Sequence, residues 1–142
     1  MQPARQPTEN HRMNMEQFKS DIEATLAQAI ALPGFSVDDY LDARDESPFD
    51  EAWSLAATGV ADAAKAQPEE TCNEQAAASR SLREWVFRTT AERTGEPELA
   101  ACVSDDAGLI LEASLCGWSS AWIGTLRRCY ASHRLPQGDL CA

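Results

Sequence analysis

Apolar positions recur every three to four residues along almost the whole chain, the period of a helix with one buried face. Met15, Phe18, Ile22, Leu26 and Ala29/Ile30 form the first stripe, and the "LPG" at 32–34 ends it. Ser36 then has the character of an N-cap, with Asp39 at the capping-box position. Val37, Tyr40 and Leu41 are the buried side of the short helix that follows. Ser47 and Pro48 predict a third helix, capped by the serine with proline at its first position. Its stripe is Phe49, Ala52/Trp53, Ala56, Val60 and Ala63/Ala64, and it stops before Pro68.

A fourth helix is predicted from about Glu69 to Thr94, with Cys72, Ala76, Leu82, Trp85, Val86 and Thr89 inward and Gly95 closing it. Pro97 opens a fifth holding Leu99, Cys102 and Val103. Ser104, followed by Asp105 and Asp106, has the form of a cap for a last helix with the stripe Leu111, Leu115, Trp118, Trp122, Leu126 and Cys129. Gly108, Gly117 and Gly124 weaken that helix by roughly 1 kcal/mol each against alanine. They also permit close packing, or a break near Gly117. No clean period-two alternation bounded by turns is present. The fold class is therefore all-α: one domain, a bundle of five or six helices over 13–136. Polar tails are expected at 1–12 and 137–142, and Met13 and Met15 would serve as start codons as well as Met1.

Composition narrows this picture. Hydrophobic residues make up 44 % of 142, enough for a folded core without disulfides. No apolar run reaches the 18 or so residues of a membrane span, and the polar "MQPARQPTENHR" lacks the apolar stretch of a signal peptide. The five cysteines (Cys72, Cys102, Cys116, Cys129, Cys141) are odd in number and show no CxxC. Free thiols in a reducing, cytoplasmic compartment are expected, the first four in apolar patterns and Cys141 exposed. Many alanines and ten arginines against two lysines fit a GC-rich bacterial genome.

Charge changes the picture most. Twelve basic against 23 acidic residues leave −11, which argues against direct nucleic-acid binding and against an anionic membrane surface. Between Ser36 and Glu74 stand eleven carboxylates and two cations, Arg44 and Lys65, so most of the excess lies there. On the second helix Asp38, Asp39, Asp42, Asp45 and Glu46 fall in one arc opposite Val37, Tyr40 and Leu41. Asp42 lies three or four residues from each of the other four, like-charge pairs that together cost about 1–2 kcal/mol at low salt. Such an arc is either a solvated face or a docking surface. With Asp50 and Glu51 it forms the candidate partner-binding set, aimed at a basic protein such as a toxin, nuclease or nucleic-acid-binding protein. Occupying the phosphate sites of such a partner is the logic of small immunity and inhibitor proteins, and this is the expected, non-enzymatic function.

Other chemistry is thin. His11 and His133 are the only histidines, and Cys129 with His133 supplies two ligands where zinc wants four, or three plus water. There is no GxSxG and no P-loop. "DDAGLILEASLCGWSSAWIG", from Asp105 to Gly124, resembles a helix of FMN-dependent nitroreductases, with Ala113, Gly117, Ser119, Ser120, Trp122, Ile123 and Gly124 at the positions of that pattern. "SRSLREW" at 79–85 is faintly similar to the same family's arginine motif for the FMN phosphate, at a much shorter interval. The resemblance implies a flavin-binding enzyme as the alternative; the expected protein carries no cofactor. A purely structural oligomerisation module is the third possibility.

Overall fold

The structure, a computed structural model, describes residues 13–140. Among them are six helices and no strand: α1 (Met15–Ala31), α2 (Val37–Arg44), α3 (Phe49–Lys65), α4 (Glu69–Thr94), α5 (Pro97–Cys116) and α6 (Ala121–Ala131). The single all-α domain expected from the stripes is what forms.

Local chemistry sets five of the helix ends. The Asn14 side chain accepts from Gln17 N (3.1 Å), Ser36 Oγ from Asp39 N (3.2 Å) and Ser120 Oγ from Ile123 N (3.1 Å). Each satisfies a backbone donor that the first turn leaves free. Gly95 ends α4 at φ 70 and Gly117 ends α5 at φ 71, left-handed conformations that a residue with a Cβ enters at a cost.

Helices α4 and α5 fold back on each other through Gly95 and Glu96 and form the largest packed pair. Helices α3 and α6 lean on α5, and α1 closes the bundle across α4 and α6. The core runs through Ile22, Leu26, Leu82, Val86, Leu99, Val103, Ile110, Leu126 and Tyr130. A methyl group at Gly108 would fall 1.9 Å from Arg83 Nε, so the glycine leaves room for the arginine guanidinium against α5, and a side chain there would push it aside.

Four details differ from the sequence reading. Ser104 to Asp106 does not begin a helix: α5 is continuous from Pro97, and the break falls at Gly117. Ser104 Oγ instead donates back to Ala101 O (2.9 Å), and Asp106 is fully buried. Ser47 is not a backbone cap; its hydroxyl donates to Glu51 Oε1 (2.8 Å), and α3 starts at Phe49 with Pro48 in the cap position. On α4 the inward residues are Ser79, Leu82, Val86 and Thr90, with Ala76 exposed and Thr89 half-buried. Ile30 and Leu115, read as stripe residues, are exposed. Cys129 is buried and Cys72, Cys102 and Cys116 are half-buried, all four as free thiols. Residues 1–12 and Cys141 lie outside the described residues.

Candidate functional site

Residues 37, 40, 41 and 44 share one side of α2, and that side faces the bundle. Tyr40 and Arg44 are buried there, Val37 and Leu41 half-buried. The opposite side carries Asp38, Asp39, Asp42, Asp45 and Glu46, all exposed, and the first turn of α3 adds exposed Asp50 and Glu51. The structure thus brings the seven predicted carboxylates onto two consecutive elements and leaves all of them at the surface. Asp38 and Asp39, like Asp50 and Glu51, sit in first turns where the helix dipole favours negative charge. Asp45, at the end of α2, has no such support.

From Glu51 the exposed side of α3 continues through Leu55, Thr58 and Asp62, spaced 4, 3 and 4 along one helical face. Leu55 is 73 % exposed, the most open large apolar side chain of the described residues. All eleven carboxylates between Ser36 and Glu74 are exposed, whereas of the two cations only Lys65 is. The surface of this stretch is accordingly one charge more negative than its composition shows.

Arg44 is missing from that surface because it is spent underneath it. Its Nη1 donates to Asp106 Oδ2 and its Nη2 to Asp106 Oδ1, both at 2.8 Å, a two-pronged ion pair between a 9 % exposed and a 0 % exposed side chain. Trp53 Nε1 donates to Asp106 Oδ1 (2.9 Å) and the Tyr130 hydroxyl to Oδ2 (2.6 Å). The Tyr40 hydroxyl donates to Pro136 O (2.7 Å) and accepts from Arg44 Nη1 (3.1 Å). The guanidinium also lies 4.4 Å from the centre of the Phe49 ring. Four donors from α2, α3 and α6 therefore converge on one carboxylate of α5, which satisfies a charge that burial alone would make costly.

The electrostatics follow from this enclosure. Burial works against the Arg44 charge, and the Asp106 carboxylate overrides it, so the guanidinium holds its proton more firmly than usual. Burial, with the Asp106 charge, pushes the Tyr130 hydroxyl well above its ordinary range; burial does the same to Tyr40, against the pull of Arg44. The Cys102 thiol beside the cluster is pushed up to about 12, first by burial and then by Asp106. None of these groups is poised for proton transfer or nucleophilic attack near neutral pH.

The other sequence candidates are placed apart. His133 does not pair with Cys129; its Nε2 lies 3.1 Å from Asp21 Oδ1 and its Nδ1 3.4 Å from the Gln28 amide. Among the described residues no group of three or more His, Cys, Asp or Glu side chains could hold a metal ion. The segment Asp105–Gly124 is not one helix but the end of α5, a left-handed glycine and the start of α6. Between α4 and α5 lies an open groove lined by Arg83, Glu84, Phe87, Arg88, Ala91, Glu92 and Ser104, of mixed charge, whose one hydroxyl, on Ser104, donates to Ala101 O rather than to a base.

A family model described as immunity protein PIM1 matches residues 15–137. The chain belongs to the immunity protein PIM1 family. The match runs from the first residue of α1 to just past Pro136, so it takes in every carboxylate of the acidic face and the whole Asp106 cluster. Membership in the PIM1 family implies a partner protein such as a toxin. No curated protein and no solved structure matches the chain. No helix of the described residues is long and apolar enough to cross a membrane.

Sequence reasoning missed Arg44, Asp106, Trp53 and Tyr130 as a unit. A signal was present: Arg44 falls four residues after Tyr40 on the apolar side of α2. Asp106 likewise stands at the i+7 position of the stripe Leu99, Val103, Ile110. Each is a charged residue in an apolar row, and together they are complementary.

Proposed function

We propose that the chain is a non-enzymatic bacterial immunity protein that binds and neutralises a basic protein toxin in the cytoplasm. The docking surface is the acidic face formed by Asp38, Asp39, Asp42, Asp45 and Glu46 on α2 with Asp50 and Glu51 on α3. The observation that carries this reading is the pairing of family with surface: an immunity-family chain whose stretch from Ser36 to Glu74 exposes eleven carboxylates and one cation. A nuclease or other toxin that acts on a polyanion presents a basic cleft, and a face of this sign both steers the encounter and competes for the cleft. Leu55, open at the middle of the α3 stripe, adds an apolar contact within that charged surround.

The test starts from the reading frame next to this gene. Its product is expressed with this chain, and complex formation and toxin activity are measured at several ionic strengths. The expected result is a tight complex, suppressed toxicity, and an association rate that falls steeply with salt. A complex whose association rate ignores salt, or a neighbouring toxin of acidic character, would remove the basic-partner reading. The flavin alternative predicts a yellow preparation and flavin binding in a titration; the described residues hold none of the strands that its parent fold requires.

A further inference from the structure

A helix of eight residues is too short to hold itself in water, so α2 owes its place to what it touches. Val37 and Leu41 are only half-buried, which leaves Tyr40 and Arg44 as its seat. Tyr40 reaches the chain at Pro136, and Arg44 reaches Asp106 on α5 with one nitrogen on each carboxylate oxygen. Two parallel bonds fix orientation as well as distance, which apolar contact does not. Burying an ion pair gains little stability over a well-packed apolar pair of the same volume. What it adds at this position is direction. A turn of α2 by one residue, about 100°, would swing its carboxylates off the outward arc.

We propose that the Arg44–Asp106 pair is the positioning device of the acidic face: it sets the rotation and seat of α2, and so the direction in which Asp38, Asp42 and Asp45 are presented. The purpose of that face rests on the docking reading above; the seating does not. Arg44 is therefore a positioning residue, buried beneath the face it orients.

The test is amide hydrogen exchange on the full chain without any partner. In the variant Arg44→Met/Asp106→Leu/Tyr130→Phe both charges and the Tyr130 hydroxyl are removed together, and of the donors on Asp106 only the half-buried Trp53 Nε1 loses its acceptor. The amides from Tyr40 to Asp45 should exchange at least tenfold faster, while those of α5 and α6 keep their wild-type rates. Arg44→Lys keeps the charge but loses the two-pronged geometry, and should give a several-fold acceleration confined to the same amides. Should the triple variant not fold, Arg44→Lys decides alone. Unchanged exchange in α2 would overturn the proposal, since apolar packing would then suffice. Equal acceleration in every helix would overturn it too, since the pair would then serve only overall stability. A chain whose α2 loosens as expected, but whose carboxylates prove irrelevant to toxin binding, would refute the docking reading and leave the seating intact.

Discussion

Helix α5 buries eleven of its twenty residues, whereas α2 buries two of eight. The first is surrounded: α4 along its length, α3 and α6 on its other sides. Its place follows from the amount of apolar surface it removes from water, a force without direction. The second lies at the edge, carries water-facing carboxylates, and is held through an ion pair whose geometry is specific. Asp106 belongs to both regions, since it sits on the buried helix and anchors the exposed one. The comparison teaches that the two halves of this bundle should fail differently when altered.

The largest effect is expected where the regions meet. Asp106→Leu leaves Arg44 buried and charged without a partner, which costs about 3–5 kcal/mol. Thermal unfolding should show a fall of roughly ten degrees or more, and calorimetry is the check. A loss under 1 kcal/mol would mean that Arg44 swings out to water and that the pair does not hold α2 in place.

Ile110→Ala tests α5 alone. The side chain is 2 % exposed, and its truncation should cost about 3 kcal/mol through lost burial and a residual cavity. Denaturant melts should fall while α2 keeps its local exchange pattern relative to the rest of the chain. A selective loosening of α2 in this variant would erase the distinction between the two modes of attachment.

The Cys102 thiol, next to the Asp106 cluster, sharpens the contrast through pH. Its folded pKa is raised from 9.0 to about 12, so the unfolded chain loses the proton first. The unfolded state then binds fewer protons than the folded one, and stability falls as pH rises from about 9 towards 12. The Cys102 share of the decline between pH 9 and 10 should be about 1 kcal/mol, to which the Cys129 thiol, also raised by burial, and then the buried tyrosines add. Cys102→Ala should remove that share. The same slope in the variant would show that the thiol ionises freely in the fold.

The smallest expected change in stability lies on the outer face of α2. Replacing Asp38, Asp42 and Asp45 together with Asn relieves the like-charge pairs around Asp42 and should raise stability by about 0.5–1 kcal/mol at low salt. Toxin binding should weaken, chiefly through a slower association rate with a flatter salt dependence. Pull-downs from the native host with both baits check this. Equal recovery of every partner would make the arc a solvated face only.

The helices were legible because their causes are local. The stripe Phe18, Ile22, Leu26 needs only the 3.6-residue period, and Gly95, Pro97 and Ser36 act on backbone groups within a turn of themselves. The outward direction of Asp38, Asp42 and Asp45 was legible for the same reason, since it follows from Val37, Tyr40 and Leu41 on the same helix. The continuity of α5 through Ser104–Asp106 was not. Those residues have the composition of a cap, and only packing on several sides at once made them interior. Arg44 and Asp106 are 62 positions apart, and no periodicity relates them. The chain by itself determined which segments are helical and which faces are apolar. The tertiary structure decided which charge of the acidic run goes inside and which carboxylate receives it, because a buried ion pair depends on distance in space rather than on order along the chain.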